Sequence, residues 1–236
     1  MIEVDMDRGL YLAASGMLAE QVRQNQIAND LANASTPGYK SDRMVQRTFG
    51  SLLLGNSLTG QTIGSQTTAV QVTKEVTDFS PQPVKDTGEP LDFAIVGDGF
   101  FALQTANGTR YTRNGQFTAN AQGQLVTAAG DRVLGRDGQP LTLGADGNVD
   151  PRRLNVVLLT NPRKVGDNLV TGTPGRPAGQ VAGQVRSGAL EGSGADPTEA
   201  MVDMIASMRA YESGQKVIQT IDAELGRAAS DVGRVG

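Results

Sequence analysis

The sequence predicts an α+β chain. N- and C-terminal helices pair as a coiled-coil-like unit, and a mainly antiparallel β domain is inserted between them. Three observations carry this. Met204, Tyr211, Ile218 and Leu225 recur every seven residues near the C-terminus, and Leu10, Met17, Gln24 and Leu31 do the same near the N-terminus. A sustained seven-residue period marks a slightly underwound helix that seeks a partner along a seam. Between the two, short β-prone runs alternate with turn signals at hairpin-like spacing.

Composition narrows the chemistry. The 236 residues include no Cys, no His and no Trp, and aromatics make up 4%. Missing His removes the commonest metal ligand and general base, and missing Cys removes disulfides and thiol chemistry. No catalytic residue, cofactor or metal site is therefore expected. A formal net charge of -4 without any Lys/Arg run argues against nucleic acid. No apolar run approaches transmembrane length. The opening residues lack a basic n-region and an apolar h-region, so no cleaved secretory signal is expected.

In chain order, residues 1–40 read as an N-terminal axial helix, helical from about Met6 to Asn33. Ala14, Gln21 and Ala28 follow the seven-residue row by four residues and complete its seam. Gln21, Asn25, Asn29 and Asn33 form an amide row at i, i+4 spacing. Asn is a mediocre helix former, so propensity alone does not account for it. Two readings fit: a solvated polar ridge, or a ladder of amides hydrogen-bonding neighbouring helices. Ser35-Thr36-Pro37-Gly38 stops the helix.

Residues 41–78, rich in Ser, Thr, Gln and Gly, read as an extended connector. Its exception is Phe49-Gly50-Ser51-Leu52-Leu53-Leu54, which can anchor locally. Residues 79–189 read as the β domain, with turns at Gly97-Asp98-Gly99, Asn107-Gly108, Asn114-Gly115, Gly123, Gly130-Asp131, Asp137-Gly138 and Asp146-Gly147. The core candidates are Phe93, Ile95, Phe100, Leu103, Phe117, Leu125, Val133, Leu134, Leu141, Val149, Val156 and Leu158. Residues 162–188 are expected to return the chain toward the last helix.

Residues 190–236 read as the C-terminal axial helix, pairing with 1–40. Asp196 suits an N-cap, Pro197 the first helical position and Glu199 the reciprocal capping carboxylate. With Met204, Tyr211, Ile218 and Leu225 as one row of the seam, Met201, Met208, Gln215 and Asp222 become the other. A weaker stripe of Val202, Ala206, Ala210, Val217 and Ile221 lies on roughly the opposite side, as in a helix surrounded by neighbours.

Two motifs mimic binding sites. Gly97-Asp98-Gly99-Phe100-Phe101-Ala102 has dinucleotide-loop spacing, but Phe100 to Thr105 alternate like a strand where a helix N-terminus is required. Asp146, Asn148 and Asp150 have calcium-loop spacing, but Pro151 and Val157 stand where that loop needs Gly and Glu. A carboxylate-dependent hydrolase is compatible with the composition, although no carboxylate pair stands out.

The run Asn29-Asp30-Leu31-Ala32-Asn33-Ala34-Ser35-Thr36-Pro37-Gly38-Tyr39-Lys40 resembles the N-terminal motif of bacterial flagellar rod and hook proteins. Three further stretches resemble the same family in the same order. They are Pro90-Leu91-Asp92-Phe93-Ala94-Ile95 through Gly97-Asp98-Gly99-Phe100-Phe101, then Tyr111-Thr112-Arg113-Asn114-Gly115, then Leu190-Glu191-Gly192-Ser193 running into Met201-Val202-Asp203-Met204-Ile205. Together they span nearly the whole chain.

The resemblance implies a structural basal-body rod subunit, not an enzyme, that polymerises with itself and with neighbouring rod or hook subunits. It implies passage through the flagellar type III export apparatus, with Phe49 and Leu53 at the spacing of an export determinant. It also implies a seam of Leu10, Met17, Leu31, Met201, Met204, Met208, Tyr211, Ile218 and Leu225 used in assembly. The start Met6-Asp7-Arg8-Gly9 and the run from Leu190-Glu191-Gly192-Ser193 through Pro197 to Glu199-Ala200-Met201 are similar to the proximal rod subunit, with a distal rod or hook-type subunit as the alternative. Family members usually begin near Met6, which leaves the start at Met1 or Met6 open. Gly194-Ala195 stands where the family often has Asn-Val, so entry into the last helix is expected to differ.

Overall fold

The computed structural model describes residues 2–55, 62–175 and 182–232, with side chains described for 9–44, 76–175, 182–227 and 230. The chain divides into two compact units. One contains Met1–Leu31, Asp42–Val76 and Pro197–Gly236, and the other contains Ala32–Ser41 and Thr77–Asp196. The α+β class and the two terminal helices agree with the sequence reading.

In the first unit, helix α1 spans Ile2–Ala32 and helix α2 spans Pro197–Val232. Segment 41–78, expected to run as a plain extended connector, holds strands β1 (Asp42–Gly55) and β2 (Thr62–Thr77), which pair with each other. Phe49 and Leu53 fall on β1, and their side chains lie outside the described residues.

The two helices run antiparallel. Glu20 faces Ser207, Arg23 faces Asp203, and Met17 faces Gly214. The seven-residue rows are present, since Met17, Gln24, Leu31, Met204, Tyr211, Ile218 and Leu225 are half-buried, while Leu10 is exposed. Their companion rows are where the sequence reading slips. Ala14 on α1 is half-buried as expected, but Gln21 and Ala28 are exposed, as are Met201, Met208, Gln215 and Asp222 on α2. Burial instead takes in Ala13, Glu20 and Ile27, and Ser207, Gly214 and Ile221, each three residues after a row member.

On α2 the small residues Ser207 and Gly214 leave room for side chains of α1 to pack close against the helix. A Cβ placed on Gly214 would lie 2.8 Å from Met17 Cγ. Ser207 is fully buried and its hydroxyl donates to Glu20 Oε2 at 2.7 Å.

In the second unit, the β domain comprises β3 (Val84–Asp86), β4 (Phe93–Val96), β5 (Phe100–Thr105), β6 (Gly108–Thr112), β7 (Thr118–Ala119), β8 (Leu125–Val126), β9 (Arg132–Val133), β10 (Val156–Val157), β11 (Leu159–Gly166), β12 (Leu169–Pro174), β13 (Gln184–Ser187) and β14 (Ala189–Glu191). Strand order in the main sheet is β11-β12-β6-β5-β9-β8-β7, with β10 also on β5. Its described pairings are antiparallel. Two further pairs, β13–β4 and β14–β3, complete the unit.

β5 is central because Phe100, Phe101, Ala102 and Leu103 are all buried, so both faces of the strand are covered. Phe101 and Leu103 join Phe93, Ile95, Phe117, Leu125, Val133, Leu141, Val149 and Leu154 in one cluster. Phe100 and Ala102 join Tyr111, Leu134, Leu159 and Val170 in a second. Of the expected core, Val156 alone is only half-buried. Residues 162–188 do more than return the chain, because they supply the end of β11 with β12 and β13.

The close helix approach can be tested with two glycines of α2. Nothing lies within 4 Å of a Cβ on Gly226, so Gly226→Ala should stabilise the helix by the ordinary ~1 kcal/mol. Gly214→Ala should lose that gain against Met17, and Gly214→Leu should part the helices. Helix melting followed by circular dichroism separates the cases. Equal stabilisation by both alanines would mean that Met17 does not pack against Gly214.

Candidate functional site

On α1 the amides of Gln21, Asn25 and Asn29 are exposed, in keeping with i, i+4 spacing on a helix. Asn33 leaves the row because α1 has ended. Its carbonyl accepts from the Thr36 amide at 3.0 Å, and its Oδ1 accepts from the Thr36 hydroxyl at 3.2 Å. On α2, Met201 is 53% exposed and Met208 50%, beside exposed Val202 and Ile205. The row Met204, Tyr211, Ile218 and Leu225 is turned toward the intramolecular seam. Gln24, also on the seam, keeps its buried Nε2 without a hydrogen-bond partner among the described residues.

The binding-site mimics resolve as turns. Gly97 and Gly99 have φ of 107° and 125°, and β5 comes directly after them. In the acidic loop, Asp146 Oδ1 accepts from the Asn148 amide, and Asp150 caps a short 3-10 turn at Pro151–Arg153.

Sequence reasoning missed the most strongly built site in the β domain. Lys40, Arg113 and Glu191 are 3%, 2% and 1% exposed and form one ion triad. Lys40 Nζ donates to Glu191 Oε1 at 2.6 Å, and Arg113 Nη1 donates to Glu191 Oε2 at 2.8 Å. The Gln82 amide adds a third donor to Oε1 at 3.0 Å. The cations are completed by carbonyls: Ser80 accepts from Lys40 at 2.6 Å, and Gly97 accepts from Arg113 Nη2 at 2.6 Å. The Arg113 guanidinium also lies 5.5 Å from the Phe100 ring centre.

Burial pushes the Lys40 ammonium pKa down, outweighing the opposing pull of Glu191. Arg113 pushes it the same way, and Asp78 opposes.

The triad joins segments that are far apart in sequence. Backbone bonds reinforce it, with the Gly38 amide on the Glu191 carbonyl at 3.0 Å and the Gly194 amide on the Tyr39 carbonyl at 2.8 Å. Ser193 Oγ donates to the Asn33 carbonyl at 2.9 Å and accepts from the Ala195 amide at 3.1 Å. Gly194 thus packs where a Cβ would meet Tyr39 O at 3.0 Å. This is the local consequence of Gly194-Ala195. One signal was available in the sequence: Lys40, Arg113 and Glu191 each lie inside one of the quoted motif runs.

Three family models match the chain: "Flagella basal body rod protein" over residues 10–40, "Flagellar hook protein FlgE/F/G D1 domain" over 94–157, and "Flagellar basal body rod FlgEFG protein C-terminal" over 186–231. The chain is 35% identical over 242 residues to the flagellar basal-body rod protein FlgF of Caulobacter vibrioides, covering 95% of this chain and 97% of that one. It is 34% identical over 255 residues to FlgF of Escherichia coli, covering 94% and 97%. It is 33% identical over 253 residues to FlgG of Bacillus subtilis, covering 92% and 96%.

The triad carries a stability test. Glu191→Gln leaves two buried cations facing each other and should cost about 3–5 kcal/mol in denaturant unfolding. Lys40→Met leaves a one-to-one Arg113–Glu191 pair and should cost distinctly less. The reverse ranking would show that Lys40, not Glu191, is the centre of the triad.

Proposed function

We propose a role for this chain that starts from its family: it belongs to the flagellar basal-body rod proteins. It is a structural subunit of the rod in the flagellar basal body. There it polymerises with copies of itself and with neighbouring rod or hook subunits into the helical shaft that transmits torque. The observation that carries the assembly reading is the exposed apolar face of α2 at Met201, Val202, Ile205 and Met208. Such a contiguous face on a long helix is normally covered by a partner. Exposed Tyr11, Leu18 and Val22 give α1 apolar surface of its own.

The assembly seam therefore divides into two sets. Met204, Tyr211, Ile218 and Leu225, with Met17 and Leu31, hold the helices of one chain together. Met201 and Met208, with Leu10, are left to meet a neighbouring subunit. The exposed amides Gln21, Asn25 and Asn29 are read as a ladder toward neighbouring helices, since a repeated interface returns each hydrogen bond once per subunit. The particular position we favour is the proximal rod, on the resemblance at Met6-Asp7-Arg8-Gly9. A distal rod or hook-type subunit is the alternative, and FlgF and FlgG relatives match at similar identity.

Export by the flagellar type III apparatus, without a cleaved signal, accounts for the Phe49/Leu53 spacing. Glu191, the buried carboxylate of the triad, is engaged by two cations and so is not placed for acid–base work.

The two sets of the seam separate experimentally. Met208→Asp should leave the monomer folded yet abolish motility in complementation, because each buried apolar side chain contributes about 1.5–3 kcal/mol. Ile218→Asp should also loosen the helix pair of the monomer. Motility at wild-type level in Met208→Asp would remove this face from the interface.

The amides give a finer test. Asn25→Ala favours helix by a few tenths of a kcal/mol if Asn25 only meets water, and motility is then unchanged. In a ladder, the same change orphans partner groups at about 1–3 kcal/mol each, repeated along the shaft. We expect normal export with poor assembly. Normal motility would restore the solvated ridge, and reduced export would assign the row to substrate recognition.

A further inference from the structure

We infer that Met201 and Met208 are a paired oxidation site, where a peroxide-class oxidant converts each thioether to a sulfoxide and so blocks incorporation of the free subunit. The inference rests on the assembly face proposed above and names a modification that controls it.

The chain has seven Met and no Cys, His or Trp, so a two-electron oxidant finds its thioethers first. The oxidant must reach the sulfur, and on that criterion the described methionines fall into two groups. Met201 is 53% exposed and Met208 50%. Met17, Met44 and Met204 are half-buried. Met17 is also packed against α2, since a Cβ on Gly214 would lie 3.5 Å from its sulfur. Met204 belongs to the row turned toward the same seam. One helix thus separates two reachable thioethers from a shielded one only three and four residues away.

The reaction is a simple oxygen transfer. A sulfur lone pair attacks one peroxide oxygen, the S–O bond forms and the O–O bond breaks. The departing hydroxide takes the proton of the transferred oxygen and leaves as water. Sulfur is oxidised by two electrons and peroxide is reduced by two. A polar, chiral group then stands where a flexible apolar one stood. Met201 and Met208 lie one heptad apart, with Val202 and Ile205 exposed beside them, so this face supplies no donor to the new oxygen. A neighbouring helix covering it would bury an unsatisfied acceptor, which is costly. Because Met17 and Met204 are shielded, the helix pair keeps its packing while the outer face changes. Assembly in turn covers Met201 and Met208, so the oxidant acts before incorporation and spares the finished shaft.

The test treats the purified full chain and isolated basal bodies with hydrogen peroxide, followed by peptide mass mapping and circular dichroism. In the free chain, Met201 and Met208 should each gain one oxygen several-fold faster than Met17 and Met204, with helix content unchanged. Equal rates at Met17 or Met204, or loss of helix as Met201 and Met208 react, would overturn the site. In basal bodies, Met201 and Met208 should react several-fold more slowly than in the free chain. Rapid reaction in both would remove the assembly face itself, and the inference with it. In motility complementation, Met201→Gln with Met208→Gln places a side chain of sulfoxide-like polarity at both positions and should abolish motility. Met208→Gln alone serves if the double variant fails to fold. Motile glutamine variants beside an immotile Met208→Asp would leave the assembly face standing and overturn the oxidation site.

Discussion

The structure of the β domain depends on one buried carboxylate. Removing Glu191 and two cations from water costs several kcal/mol per ion, and only close, fully hydrogen-bonded geometry offsets it. The chain meets that condition by bringing distant segments to van der Waals contact around the triad. A Cβ on Gly38 would run into the Arg113 carbonyl, and one on Gly115 into the Phe93 carbonyl oxygen. Gly38 stands two residues before Lys40, and Gly115 two residues after Arg113. The charge and the glycine work as a pair, the first supplying attraction and the second permitting the approach that makes it strong.

That pairing explains why the motif runs look as they do. Pro37-Gly38-Tyr39-Lys40, Tyr111-Thr112-Arg113-Asn114-Gly115 and Leu190-Glu191-Gly192-Ser193 are sequence-distant pieces of one site. Tyr39 and Lys40 are buried and the Gly38 amide bonds Glu191, so the segment leaving α1 is fixed by side chain and backbone together. On the other side of the chain, β14 delivers Glu191 by pairing with β3, register Glu191 with Val84. Two residues after Val84 on that strand, Asp86 makes an exposed ion pair with Arg186 on β13 at 2.7 Å. Screening by solvent makes that exposed pair a minor term beside the triad.

Much of the fold was legible because it is periodic. Helices announce themselves by a seven-residue apolar recurrence, and turns by Asn-Gly and Asp-Gly pairs. The core of the β domain came from alternation, with Phe93, Ile95, Leu103 and Leu125 all buried as expected. What failed was phase. A reader counting apolar bulk chooses Met201 and Met208, but the helices close on Ser207 and Gly214, which have little bulk to count. Small residues enter the seam because they leave room for a side chain of the other helix, as Gly214 does for Met17. The triad was illegible for another reason. Lys40, Arg113 and Glu191 have no periodic relation, and a single charge in a sequence carries no sign of burial.

The phase of the seam bears on how a polymer subunit stays soluble before it assembles. A seam that also took in Met201 and Met208 would leave less apolar surface exposed on α2. The observed seam instead contains Glu20, Gln24, Ser207 and Gly214, so it fixes antiparallel register while contributing modest apolar burial. A polar residue at such a position specifies alignment at some cost in stability. Gln24, with its amide nitrogen buried and unmatched among the described residues, shows that this cost is present in the single chain. Met201, Val202, Ile205 and Met208 remain exposed, while Met204, Tyr211, Ile218 and Leu225 are half-buried. On the proposed assembly, the contribution of the exposed set would come when a neighbouring helix covers it, which would weight the free energy of the helical unit toward the assembled shaft.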